Sequence, residues 1–414
     1  MKSNYKKLGD YIEPCNEKNE GNLIKILQGI SNRKYFQKAK TNTIGIDLSK
    51  YRVVRKGQFA FNRATTRNGD RISIALRFGE DCIVSPSYRI FKSKDENILN
   101  SEYLMMWFRR PEFDRYARFK SHGSAHEFFD LDEMYEVELP IPSIEKQQEI
   151  VNEYNTITNR IVLKEQLNQK LEETAQAHYK HWFVDFEFPN EEGKPYKSSG
   201  GKMVYNEELD KEIPCGWDVN KLSQISKKIF SGGTPKTSQE SYWGDEFYWL
   251  SSGETRETVI IDSERMITQK GVDNSSTKLA LIGDIIMASA GQGKTRGQTS
   301  FCMIDAYFNQ SVLCVRPTER IYQSFIFFHL KSKYHELRNE SDAQAIRGSL
   351  NKENLSNLLL PNPRNQLINS FEKAGLTVLK NIYSNRLSNK KLEELKDLLL
   401  SKMTKVEEVK TEIV

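Results

Sequence analysis

Two stretches of this 414-residue chain restrict its fold more than any other feature. Each opens on a proline pair and runs on as a long amphipathic helix. The first, Leu139 to Pro189, reads LPIPSIEKQQEIVNEYNTITNRIVLKEQLNQKLEETAQAHYKHWFVDFEFP. Pro140 and Pro142 end any preceding strand, and Ser143 with Glu145 behind it suits the exposed N–H groups of a helix start. Ile150, Tyr154, Ile157, Ile161, Leu167, Leu171 and Ala175 recur mostly at steps of three and four, a narrow apolar stripe that faces one partner helix. Roughly 39 helical residues span about 58 Å, more than a domain core needs, so the segment reads as a spacer. The second stretch begins at Leu360 with LPNP, places Asn362 as cap and Pro363 at the first helical position, and carries Leu367, Phe371, Val378, Ile382, Leu392, Leu395 and Leu399.

The blocks before the two helices repeat one another. RKGQFAFNRATT lies over LIGDIIMASAGQ, SPSYRIF over NQSVLCV, EYLMMWF over SFIFFHL and LPIPS over LPNPR, in the same order. Internal similarity of this kind marks duplication. Short alternating runs bounded by Gly, Asn, Asp and Ser predict strands, followed by a helical segment in each block. The expected fold class is α+β: two pseudo-repeated mixed α/β domains separated by two long antiparallel coiled-coil helices. The boundaries read as 1–138 for the first block, 139–186 for the first helix, 187–212 for an exposed linker rich in Pro, Gly and Ser, 213–359 for the second block, and 360–414 for the second helix and tail.

Composition excludes little. A net charge of +5 and a pI near 8.7 are too mild to establish a polyanionic partner. Five cysteines, Cys15, Cys82, Cys215, Cys302 and Cys314, form no CxxC pair and fit reduced thiols. No secretory core or continuous apolar span stands out, so a cytoplasmic protein without membrane contact is expected.

Local charge says more. From Lys50 to Arg77 lie Lys50, Arg52, Arg55, Lys56, Arg63, Arg67, Arg71 and Arg77 against the single acid Asp70. Asn62, Arg63, Thr65, Thr66 and Arg67 cluster beyond the strand-like GQFAF, where a turn exposes them; Arg pairs with guanine and Asn with adenine. A solvated face on a hairpin has the same composition. The matching loop of the second block offers Gln292, Lys294, Thr295, Arg296 and Gln298. Lys120, His122 and Ser124 in KSHGSAHE correspond to Gln344 and Arg347 in SDAQAIRGS, and Thr234 and Lys236 follow the glycines of SGGTPKT.

Residues 288–295, ASAGQGKT, satisfy a loose phosphate-binding loop pattern, but the following RGQTSFCMI reads as a strand where such a loop must open a helix. His178 and His181 near Asp185 have a spacing that one helix face can use for a metal, but a polar helix end packed on a partner is the better explanation. Nothing announces a nucleophile with its base, a methyltransferase centre or nuclease carboxylates, so no catalytic residue and no metal is assigned.

LPIPS with EKQQEIV, the helix end AHYKHWFVDFEFP, the restart IPCGWDVNKLSQI and the following SGGTP together resemble the specificity subunit of type I restriction-modification systems. The resemblance covers essentially the whole chain. It implies two target-recognition domains, each reading half of a bipartite site in double-stranded DNA, and helices that fix the gap between the halves. It also implies partners: two modification subunits that methylate adenine from S-adenosylmethionine, and restriction subunits that use ATP and Mg, with no cofactor in this chain. On that reading Trp182, Phe183 and Phe186 contact the modification subunits, against a simpler role in core packing. The rival is a coiled-coil scaffold that joins proteins without nucleic acid.

Overall fold

The computed structural model describes residues 5–39, 45–64, 71–121, 127–291, 295–343, 349–363 and 365–405. They form two compact units, Met1–Ile161 with Lys391–Val414, and Val162–Lys390.

In the first unit, strands Ile12–Cys15, Tyr88–Ser93, Phe59–Asn62 and Ile74–Leu76 lie side by side in that order, all antiparallel. Phe59, Ala60 and Phe61 are all fully buried, because both faces of this sheet are covered. Phe59 stacks on Phe91 at 4.9 Å and meets Phe108 edge-on at 5.6 Å; the opposite face packs Ala60 and Ile90 with Ile30, Val54 and Val84. Asn100 starts helix Ser101–Arg109 by accepting from the N–H groups of Glu102 and Tyr103. Pro111 then opens helix Pro111–Lys120. Strand Tyr5–Lys7 pairs with Glu138–Pro140, and four residues later Ile144–Phe183 begins. Ser143 accepts from the N–H of Lys146 at 3.5 Å. Hydrogen bonds from its own backbone N–H and from Ser143 hold the Glu145 carboxyl below its ordinary pKa, so the predicted helix start is realised. Val151 and Tyr154 of this helix share the unit's core with Leu400 and Met403 from the chain's last turns.

The second unit repeats the plan. Strands Ser226–Ser231, Val312–Pro317, Ile285–Ala288 and Thr299–Cys302 reproduce the four-strand order, with Val259–Ile260 added in parallel at the edge. Asp218–Lys221 pairs with Leu359–Asn362 just as Tyr5–Lys7 pairs with Glu138–Pro140. The duplication therefore extends to hydrogen-bonded partners. The units diverge in the remaining strands. The second builds a four-stranded sheet in the order Arg265–Ile267, Trp243–Leu250, Ala306–Phe308, Lys278–Ala280. The first has two separate ladders, Gln28–Ile30 with Phe36–Lys38 and Arg52–Val54 with Cys82–Val84.

The second long helix, Asn365–Lys402, runs antiparallel to the first within this unit: Phe371 packs on His178, Tyr179, Trp182 and Phe183, while Asn385 accepts from Lys164 and donates to Asn168. Two details differ from the predicted pattern. Asn362 lies in a strand and the helix opens at Asn365, because Leu359–Asn362 is pinned to Asp218–Lys221. Leu167 is half exposed; the facing stripe passes instead through the polar Lys164 and Asn168, a layer that specifies register. Residues 187–212, expected as an exposed linker, contribute to a hairpin, Met203–Asn206 with Lys211–Pro214, and Phe188 stacks between Tyr196 and Trp217.

Candidate nucleic-acid interface

At the end of strand Phe59–Asn62 the chain turns through Arg63 and Ala64, and Ala64 bridges to Phe128. Asn62 folds its side-chain oxygen back onto the N–H of Ala64, which sets this turn. The Arg63 guanidinium lies over the Phe128 ring at 4.7 Å and contacts Asp130 at 3.3 Å. Arg89 takes both oxygens of the same carboxylate, at 2.7 and 2.9 Å. Arg52 bonds to Asn16 at 3.0 Å; burial, then the nearby charge of Arg89, lowers its pKa. Burial works to raise the Asp130 pKa, but the hydrogen bonds of Arg89, the Leu131 N–H and Arg63 outweigh it and keep the carboxyl below its usual range. Two guanidinium groups, Arg63 and Arg89, thus share one carboxylate, with the charge of Arg52 nearby, leaving an excess of positive charge around Asp130. Arg89 and Asp130 were missed from sequence because they lie 26 and 67 residues beyond Arg63, and only strand pairing and the Ala64–Phe128 bridge bring them together.

Other basic residues of the first block have different duties. Arg55 is exposed and pairs with Glu17 and Asp81, whose hydrogen bonds raise its pKa, so a phosphate there would compete with two carboxylates. Arg77 is buried against Gln28 and the Glu80 carbonyl. Arg71 is exposed, and Lys120 ends helix Pro111–Lys120. Thr65, Thr66, Arg67, His122, Ser124, Gln292, Lys294, Gln344 and Arg347 lie outside the described residues.

In the second unit Thr295 to Gln298 form the turn that joins Ile285–Ala288 to Thr299–Cys302. The Gln298 N–H donates to the Thr295 carbonyl, and Gly297 takes φ +83°, where a side chain is strained. That turn leads into a strand, Thr299–Cys302, and not into a helix, so the phosphate-loop reading fails on fold. Thr295 is buried, with its hydroxyl 3.5 Å from Arg256. The Gln298 side-chain oxygen is buried without a partner among the described residues, and Arg296, two positions earlier in the turn, is partly buried. The glycines of SGGTP are explained by packing: a Cβ on Gly232 would meet the Phe308 carbonyl oxygen at 1.9 Å and one on Gly233 the Ser276 hydroxyl at 2.1 Å. Thr234 bonds to Gln310 at 2.6 Å and Lys236 is exposed.

The aromatic end of the first long helix divides in two. Phe183 and Phe186 are buried among Trp217, Phe325 and Phe371, which corrects their assignment as partner contacts, since a ring inside a core presents no surface. Trp182 is half-buried and lines a groove of about 700 Å³ with Phe188, Tyr196, Trp217 and Leu367. His178 packs on Trp182 at 4.4 Å, and Asp185 pairs with Lys180. Among the described residues no cluster of His, Cys, Asp and Glu can hold a metal ion, and no helix is long and apolar enough to cross a membrane.

Two copies of one α+β unit, each carrying basic and amide side chains where its central strands turn, define a duplicated recognition protein. The family model of the type I restriction modification DNA specificity domain matches residues 4–173 and 214–397, and the chain belongs to that family. It is similar to the specificity subunit of the type I restriction enzyme HindI from Haemophilus influenzae, at 22% identity over 92% of this chain and 93% of that protein. It is also similar to the MjaIX specificity subunit of Methanocaldococcus jannaschii, at 27% identity over 73% of this chain and 68% of that protein. A solved type I restriction-modification S subunit from M. genitalium shares the fold, with a TM-score of 0.57, 14% identity and coverage of 96% of this chain and 95% of that one.

Proposed function

We propose that this chain reads a bipartite site in double-stranded DNA, one half per unit, and carries no catalytic step itself. The observation that supports this most is the repetition of sheet order and strand partners in two units whose turn residues differ: one scaffold used twice, with different side chains offered to the base edges. Around Asp130, Arg63 and Arg89 are held for contact with phosphate or guanine, and Arg296 and Gln298 serve the second half-site. Arg71 and Lys120, with Thr65, Thr66, Arg67, His122 and Ser124, serve the first half-site, and Thr234 and Lys236, with Gln292, Lys294, Gln344 and Arg347, serve the second. The paired long helices set the gap between the half-sites. The groove at Trp182 docks a modification subunit. Two such subunits transfer methyl groups from S-adenosylmethionine to adenine, and restriction subunits use ATP and Mg, in a cytoplasmic complex.

Methylome sequencing of cells with and without the chain tests the reading, because it reports both half-sequences and their gap. Four residues inserted into each long helix, after Gln169 and after Tyr383, add about 6 Å and are expected to lengthen the preferred gap by about two base pairs at 3.4 Å each. Altered half-sequences at an unchanged gap would sink the spacer role; loss of no methylated motif on removing the chain would leave the scaffold reading in its place.

A further inference from the structure

The first unit contains a cleft of about 1040 Å³ between helix Pro111–Lys120, the turn at residues 32–34 and the last turns of the C-terminal helix. Its charges are unevenly satisfied. Lys34 is buried at φ +65° and pairs with the buried Asp114 at 2.7 Å, while also donating to the Phe108 carbonyl. Glu112 serves Arg110 and Arg115, and Arg118 pairs with Glu127 at 2.9 Å. Arg33, Arg71 and Arg109 line the same cleft, are exposed, and have no carboxylate partner among the described residues. Of the carboxylates in the lining only Asp397 is left to oppose them. Burial lowers the Lys34 pKa, and the charges of Arg71 and Arg109 push it the same way, so these guanidinium groups direct their field at one place. Like charges gathered in a concave surface repel until an anion arrives, and guanidinium forks fit phosphate oxygens in pairs.

Three observations favour a nucleic-acid backbone over an acidic protein segment. Along the chain, Arg71 directly follows residues 65–70, and Arg118 and Lys120 precede 122–126, the two segments proposed above for the first half-site. Phe119, between those two cations, is 81% exposed and lines the cleft, an apolar plane suited to a sugar or base face. The corresponding helix of the second unit, Tyr334–Ala343, instead opens with Glu336 and has no basic residue in its last turn. We propose that Arg33, Arg71 and Arg109 seat the phosphate backbone of duplex DNA beside the first half-site, an anchor that holds register without reading sequence. This rests on the chain's reading as a DNA specificity subunit.

The test uses the full chain co-expressed with its modification partners. Fluorescence anisotropy against salt would be measured on a duplex with the methylated sequence and on one with that sequence scrambled. Arg33→Ala/Arg109→Ala is expected to weaken both duplexes by about tenfold or more and to make the slope of log K against log salt less negative by about 2, with the methylated sequence unchanged. Arg33→Lys/Arg109→Lys should retain most of the slope, and Arg33→Gln/Arg109→Gln should reproduce the alanine result if the alanine pair folds poorly. Unchanged affinity and slope in a variant complex that still discriminates the two duplexes would overturn the seat and leave the function standing. So would loss of partner co-purification at an unchanged slope, which would make the cleft a protein contact. Failure of the unaltered complex to discriminate the duplexes would overturn both.

Discussion

Both units use a side chain from a long helix to secure the start of a buried helix, but with different chemistry. In the first unit Gln147, fully buried, accepts from the Asn100 N–H at 2.9 Å and donates to the carbonyls of Ile98 and Pro142 at 2.8 Å each. In the second, Glu372 accepts from the Ser324 N–H and hydroxyl at 2.8 and 2.6 Å, and its other oxygen has no partner among the described residues. Gly375, one turn on, makes room: a Cβ there would meet the Ser324 hydroxyl at 2.5 Å. A neutral amide and an ionisable carboxyl do the same structural task, so duplication preserved the backbone plan while leaving the two cores with different responses to pH.

Exchanging the chemistry should have the largest effect. Gln147→Glu sets an oxygen against two carbonyls, and an ionised carboxylate there is expected to cost the first unit about 3 kcal/mol or more at neutral pH, recovering as acid supplies a proton. Hydrogen exchange resolved by unit, together with urea melts, measures this; a variant as stable as the parent at pH 7 would break the comparison. The converse change is somewhat smaller. Burial raises the Glu372 pKa from an ordinary 4.5 to about 7, against the lowering hydrogen bonds of Ser324. The folded form therefore keeps a proton that the unfolded chain has released. That contribution is fully present below about pH 4.5 and is lost as pH rises through about 7, a span of up to about 3 kcal/mol. Glu372→Gln should flatten the second unit's stability over that window and leave the first unit's profile unchanged. The smallest effect belongs to Leu167→Ala, expected within about 0.5 kcal/mol because the side chain is half exposed; a loss of several kcal/mol would restore it to the apolar stripe.

Much of the architecture was legible in the chain. The proline pairs, the Ser143 start and the repeated order of segments marked two α+β blocks and two long helices, and the helix end WFVDFEFP with its restart carried the family. The reading surface was legible in part. Arg63 stood out by composition, but Arg55 sits in the same basic run and is held by Glu17 and Asp81, and nothing local distinguishes a paired arginine from a free one. Leu167 fits a helical period, yet helix facing is settled by the partner, which turns Lys164 and Asn168 inward instead.

Local sequence determined where elements begin, because caps, proline and periodicity act within one or two turns of chain. It also determined that the plan is used twice. Tertiary structure alone decided which charges are satisfied: Arg89 meets Asp130, Lys34 meets Asp114, and Arg33, Arg71 and Arg109 gather without a carboxylate partner among the described residues. It also put Phe183 and Phe186 inside a core and left Trp182 at its edge. Electrostatic pairing and burial depend on distance in space, and the residues concerned lie tens to hundreds of positions apart along the chain.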